Sequence, residues 1–421
     1  MSQLITQHLS DAVTLHTFTD PRFKTMKVSV NMFVPLSQST AARNAILPAL
    51  VSRATREYPD YTSFNCRLSQ LYGASINSGV QKIGDYQVLS LSAAGISNRY
   101  AFGGEDMFSQ LTSLLFDLMF HPLKDEEGLF PLEGFQQKQR QLLELMDSEY
   151  NDKMVYTHRR SEELLFQGRT AGLNCYGSRQ ELESLDRNSL TAAWEELLQN
   201  AKFEIFALGD CVPREEEFRA CFAGYGKPHS TGILPFEKPD GIRRMVEEQP
   251  LSQSKISMAY RVDYTPEEKL LFWLTATVLG GVPSSKLFQN VREKMSLCYY
   301  CSAGMHLNSR AMYIESGVET QNLERAEEAI QEQLLALQRG ELTQEELLSA
   351  KLALKNSLRA VRDSLYQVES WYIGQNFAGS DLSPKQAIDQ LMSYTAEQVV
   401  EAAGKLYPAS VYILKGGSHH G

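Results

Sequence analysis

The side chains best suited to chemistry lie close together in the second half of the chain, where Cys298 and Cys301 stand three apart and Arg292 and Tyr299 sit beside them. A Cys-x-x-Cys spacing suits redox exchange or half of a metal site. The stretch from Leu297 to Leu307 alternates like a strand, however, and has no second ligand pair, so the two thiols read as packed separately on alternating faces. On its own Arg292, within Arg292-Glu293-Lys294, reads as a solvated helix face and Tyr299 as the edge of a core. An arginine fork and a phenol are also the donors that stabilise the oxyanion of acyl transfer. The eight histidines (His8, His16, His121, His158, His229, His306, His419 and His420) include no pair at the three-to-five spacing of a helical metal site, and their only close pair is terminal. Ser284-Ser285 after Gly280-Gly281 lacks the spacing of a phosphate loop. No Gly-x-Ser-x-Gly marks a nucleophilic serine.

The elements that must position these residues follow from periodicity. Residues 25 to 35 alternate as a half-buried strand, Ile46, Leu47, Leu50 and Val51 recur at helical spacing, and a second helix covers about Ser63 to Tyr72, ended by Gly73. Strands at Ala74 to Gln81 and Tyr86 to Ala94 meet at Gly84-Asp85. Long amphipathic helices then run over about 104 to 120, 131 to 147 and on to Gln167, before a strand at Phe203 to Leu208. The second half repeats this order: strand Lys255 to Arg261, helices Pro266 to Leu279 and Ser284 to Lys294, strands to Leu307 and Val318, long helices, and a closing strand at Ser410 to Leu414. A Pro- and Gly-rich stretch separates the halves. We expect an α+β fold of two homologous domains, residues 1–228 and 245–421 with a linker at 229–244, each an antiparallel-rich sheet with helices on one face.

Composition limits the partners. Forty-one basic against fifty-one acidic residues give a net charge of −10, which argues against nucleic acid, whose phosphates demand a concentrated basic face. No apolar run approaches the roughly 18 residues of a membrane helix, and the polar start through Val13 lacks the features of a secretory signal, so the expected compartment is the cytoplasm. Six scattered cysteines read as reduced thiols.

One dense run resembles the insulinase (pitrilysin) family: Leu279-Gly280-Gly281, then Ser284-Ser285-Lys286-Leu287-Phe288, then Val291-Arg292-Glu293-Lys294, then Leu297-Cys298-Tyr299. Gly209-Asp210 and Thr343 to Lys351 resemble further family positions, and the likeness covers essentially the whole chain. Among subgroups it resembles the YmfF-type proteins, which are usually encoded beside a zinc-carrying partner. The resemblance implies a processing-peptidase-like (LuxS-like) sandwich in each domain.

Active family members carry His-x-x-Glu-His on the first long helix, two histidines holding zinc and the glutamate serving as base. The matching positions here are Ala45, Pro48 and Ala49, and the distal ligand falls near Glu144 or Leu145. The resemblance therefore implies a chain without metal or other cofactor, inactive alone. Arg292 and Tyr299 keep the family types that reach toward the zinc of another chain and grip the scissile carbonyl. The implied function is the non-catalytic subunit of a heterodimeric zinc peptidase acting on peptides, with a zinc-binding subunit of the same family as partner and self-association possible when alone. The alternative is an inert scaffold or peptide-binding protein of the same fold.

Overall fold

The structure, a computed structural model, describes residues 4–417. His419 and His420 lie outside the described residues. The chain divides into two compact units, one running through Asp147 and from Leu173 to Thr231, the other Ser148–Gly172 with the chain from Gly232 onward. The sequential division at 229–244 thus differs from the observed one by a helical excursion.

In the first unit the elements are β1 (Leu4–Ser10), β2 (Val13–Thr19), β3 (Thr25–Pro35), α1 (Gln38–Val51), α2 (Tyr61–Gln70), β4 (Ser75–Ile83), β5 (Tyr86–Ile96), α3 (Met107–Phe120) and α4 (Leu132–Asn151). Helix α5 (Lys153–Leu165) belongs to the second unit, and α6 (Arg179–Glu183), α7 (Arg187–Asn200), β6 (Lys202–Gly209) and α8 (Glu215–Cys221) return to the first. Its six-stranded sheet has the order β1-β2-β6-β3-β5-β4, with only β2 and β6 parallel. Met26, Val28, Val30 and Met32, alternate residues of β3, pack into one core with α1, α3 and α7, where the buried Trp194 indole donates to the Met119 carbonyl at 2.9 Å.

Lys27, Ser29 and Asn31 occupy off-core positions of β3, and the neighbouring strands supply an ion pair. His16 Nε2 meets Glu204 Oε2 at 2.6 Å, both side chains buried, and Lys202 approaches the same carboxylate at 2.9 Å. Burial pushes the Glu204 carboxyl up, but the His16 bond and charge and the Lys202 ammonium outweigh it and hold it below its usual range. A depressed folded-state value means stabilisation that is present above the unfolded value, about 4.3, and is lost as pH falls through the folded one. The urea midpoint should accordingly drop in acid more steeply for the wild-type chain than for Glu204→Gln. Equal slopes would show that this carboxylate is not linked to folding.

The second unit contains β7 (Arg243–Gln249), β8 (Ser254–Val262), α9 (Lys269–Gly280), a π-helix (Leu287–Lys294), β9 (Cys298–His306), β10 (Ala311–Val318), α10 (Leu323–Gln338), α11 (Gln344–Ala360), α12 (Leu365–Phe377), α13 (Pro384–Ser393), α14 (Ala396–Ala403) and β11 (Leu406–Gly416). Its sheet order is β7-β11-β8-β10-β9, with only β7 and β11 parallel. Strand for strand this repeats β2-β6-β3-β5-β4, including the one parallel pair, so the duplication expected from element order is a duplication of topology. The fold is α+β, as expected. Among the described residues no helix is long and apolar enough to cross a membrane.

Ile256, Met258, Tyr260 and Val262 face the core formed with α9, α10 and α11, while Ala259 and Tyr313 face the other side with Leu165 and Phe166. Helix α5 therefore covers the second face of this sheet. Ser161 Oγ donates or accepts across 2.9 Å with Ser257 Oγ, and Tyr156 and Tyr412 both donate to Glu247, at 2.8 and 2.7 Å. Arg243 donates to the carbonyls of Leu164 and Leu165, placing a cation at the C-terminus of α5, where the helix dipole favours it.

Candidate functional site

Arg292 and Tyr299 are positioned by a set of contacts that account for the types in the surrounding run. Gly280 ends α9 against β9, and a Cβ there would lie 2.4 Å from the Ala303 nitrogen, so no side chain fits. The buried Lys286 ammonium sits 3.1 Å from Glu346, whose carboxylate also accepts from the Thr343 nitrogen at 2.8 Å in a capping box at the start of α11. Ser284 Oγ meets Ser349 Oγ at 2.6 Å. The two resembling runs, 279–299 and 343–351, are thus two sides of one interface.

Between them the chain winds as a π-helix rather than the expected α-helix, with Leu287 and Val291 buried and the Met295 nitrogen donating to the Asn290 carbonyl, five residues back, at 3.0 Å. Such wide turns are rare and recur at functional sites. Ser296 leaves it with φ of 51°, a left-handed conformation that is unfavourable for a residue with a Cβ. The reversal delivers the chain directly into β9, an edge strand of its sheet.

Strand β9 opens with a bulge. Cys298 pairs with Val318 and Tyr300 with Gly317, which leaves Tyr299 as the extra residue. Its side chain is exposed, 53% of its surface open, and its hydroxyl reaches Glu319 Oε1 only at a long 3.4 Å. Gly317 makes room for the Tyr300 ring, since a Cβ there would meet the ring at 2.6 Å. Arg292 is 39% exposed, lies over the Phe288 ring at 4.4 Å and pairs with its neighbour Glu293 at a loose 3.7 Å. Its charge acts on Cys298, the residue before Tyr299. Both side chains thus face solvent with weak partners, and their donor capacity is unspent. Sequence reasoning did not reveal Phe288 as the platform under Arg292 or Glu319 as the partner of Tyr299.

The bulge also corrects the reading of the cysteines. In an unbroken strand residues 298 and 301 point to opposite faces; with one extra residue between them they share a face, Cys301 buried in the core and Cys298 half-buried against it. Neither is in a disulfide.

The helix that resembles the metal helix is a packed wall. Ala45 and Pro48 are buried, Ala49 is half-buried, and Asn44 donates to Gln87 Oε1 at 3.1 Å. Alanine and proline side chains offer no donor atoms, so these positions do not fit zinc. Glu144 and Leu145 are exposed on α4. Elsewhere His158 pairs with Glu315 at 2.9 Å and lies tilted against the His306 ring, yet among the described residues no group of three or more His, Cys, Asp or Glu side chains is placed to hold a metal ion.

The duplicated α+β unit, with no donors on the helix that resembles the metal helix, is matched by known proteins. Residues 184–354 match the family model described as the peptidase M16 inactive domain, M16 being the insulinase-type peptidases. The chain is 23% identical over 409 residues, 96% of each protein, to the probable inactive metalloprotease YmfF of Bacillus subtilis (strain 168). Among solved structures, a conserved protein from Enterococcus faecalis V583 superposes over the whole of both chains with a TM-score of 0.90 at 24% identity. A peptidase M16 inactive domain from Pseudomonas fluorescens gives 0.77 at 16% identity, over 99% of this chain and 98% of that one. The insulinase-family resemblance read from the motifs is borne out by these likenesses, which are to inactive peptidase-like proteins.

Proposed function

We propose that the chain is the metal-free subunit of a two-chain peptidase, lending Arg292 and Tyr299 to a hydrolytic centre whose zinc and base sit on a partner of the same fold. The observation that carries this reading is the contrast between two places in one molecule. The metal helix is filled with Ala45, Pro48 and Ala49, while Arg292 and Tyr299 are held on a π-helix and a strand bulge, exposed and weakly engaged. Selection for stability alone gives no reason to keep an arginine and a tyrosine in such settings. A peptide carbonyl attacked by water gathers negative charge, and a guanidinium and a phenol placed beside it stabilise that charge without donating a nucleophile. The substrate class is peptide, the partner a zinc-binding subunit, and the compartment the cytoplasm.

Two measurements on the purified proteins test the reading. Elemental analysis should find far less than one zinc per chain, and size-exclusion chromatography of an equimolar mixture with a His-x-x-Glu-His relative encoded beside it should give a stable one-to-one complex. Stoichiometric zinc in this chain, or no association, would return it to the scaffold alternative.

A further inference from the structure

A cavity of about 470 Å³ opens in the second unit, between the end of α5, the segment leading into β7 and strand β8. Half of its lining is charged: Arg169, Lys238, Arg243 and Arg261 against Glu237 and Asp240. In a chain of net charge −10 this is a local reversal of sign. Two of the arginines are oriented without being neutralised. Arg261, on β8, is 5% exposed; its Nη1 and Nη2 donate to the carbonyls of Ser309 and Pro235, the second at 2.9 Å, and its guanidinium lies 5.0 Å from the Phe166 ring. Arg243 Nη1 donates to the Leu164 and Leu165 carbonyls at 3.2 and 3.1 Å, while its Nε and Nη2 have no hydrogen-bond partner among the described residues. Neither arginine makes an ion pair among the described residues. Arg169 pairs with Glu237, both exposed, and Lys238 lies 5.3 Å from the Tyr407 ring.

Carbonyl anchors fix the direction of a guanidinium fork but leave its charge in place. Burial pulls Arg261 down to about 10, so it is charged at neutral pH; Arg169 and Arg310 repel that charge, Glu237 is the carboxylate acting on it, and the Tyr313 phenol is held protonated by its own burial. A buried cation short of a counter-ion is unfavourable by itself, and an anion seated beside it relieves the deficit. We propose that this cavity binds a small phosphate monoester, its dianionic head seated among Arg169, Arg243 and Arg261. Forked donors match phosphate oxygens in pairs, and four cations against two carboxylates leave room for a dianion rather than a single carboxylate. The volume lies within the range of small-ligand sites, roughly 300 to 1,000 Å³, and the charged lining disfavours an apolar body. A phosphate oxygen takes the place of the Glu237 carboxylate on Arg169. This site lies apart from Arg292 and Tyr299 in the sequence and does not rest on the proposed function.

The test is calorimetric titration of the full-length chain at pH 7.5 and fixed ionic strength with ribose 5-phosphate, inorganic phosphate and acetate. Ribose 5-phosphate should saturate one site with a Kd below about 1 mM, at least about tenfold tighter than acetate, and should also exceed inorganic phosphate. Two variants on exposed side chains, each checked for an unchanged fold by circular dichroism, separate a binding site from a structural ion pair. Arg169→Gln should weaken ribose 5-phosphate about tenfold, whereas Glu237→Gln, which removes the competing carboxylate, should tighten it by a similar factor. A purely structural pair gives no reason for the second effect. No saturable binding, acetate as tight as ribose 5-phosphate, or inorganic phosphate as tight as ribose 5-phosphate would overturn the proposal. So would binding that neither variant changes.

Discussion

On the proposed function, Arg292→Ala should lower the turnover of the two-chain peptidase by ten- to a thousandfold, about 1 to 4 kcal/mol of transition-state stabilisation. Assembly with the partner should be unchanged. The side chain is 39% exposed, it stacks on Phe288, and among the described residues its ion pair is the loose one with Glu293, so removing it leaves no buried charge behind and empties no core. The loss should fall on kcat more than on KM, because a donor aimed at a developing oxyanion binds the transition state more strongly than the substrate. Arg292→Lys keeps the charge without the planar fork and should recover only part of the activity. A kcat within twofold of wild type for Arg292→Ala would mean that this residue takes no part in the chemistry.

The second large effect concerns the scaffold. Gly280→Ala should destabilise the chain by about 3 kcal/mol, read as a lower urea midpoint. The added methyl would meet the Ala303 nitrogen at 2.4 Å, the Leu287 side chain at 2.8 Å and the Ala303 Cβ at 2.9 Å. Two of these are fixed parts of strand β9, so α9 and β9 must move apart. That separation would disturb the π-helix and the bulge together, since both hang from the same junction. Gly304→Ala, two residues along the pleat from Ser302 on β9, is the control. Nothing lies within 4 Å of a Cβ there, and its effect should stay within about 0.5 kcal/mol.

Much of the architecture was legible because it rests on long periodic segments. The central strands and the helices α3, α4, α9, α10 and α11 show their apolar faces in the sequence, and the repeat of element order carried the duplicated topology. Strands β1, β2 and β7 were not foreseen. β1 and β7 are edge strands, and β7, Arg-Arg-Met-Val-Glu-Glu-Gln, is too charged and exposed to show alternation; β2 is buried almost throughout although it carries Thr14, His16 and Thr17. The helix α5 was recognised as a helix but assigned to the first half, because an amphipathic pattern tells that a face is buried and not which sheet buries it.

At the site, the residue types of the 279–299 run were readable through resemblance, and the structure supplies their reasons in Gly280, Lys286 and Ser284. The π-helix was not readable, because over eight residues Leu287 and Val291 suit either winding. Nor was the bulge. Which residue of Cys298-Tyr299-Tyr300-Cys301 is left unpaired is decided by β10, where Gly317 accepts the Tyr300 ring and Val318 pairs with Cys298. A rule of strict alternation therefore separated two thiols that the partner strand brings together.

The division of labour between two chains is tested most directly by assaying one peptide substrate with this chain alone, with its zinc-carrying partner alone, and with both. Chelator-sensitive cleavage should appear in the mixture and rise to a plateau at one-to-one stoichiometry, with little from either protein by itself. Cleavage by this chain in isolation, or a mixture no faster than the partner alone, would contradict it.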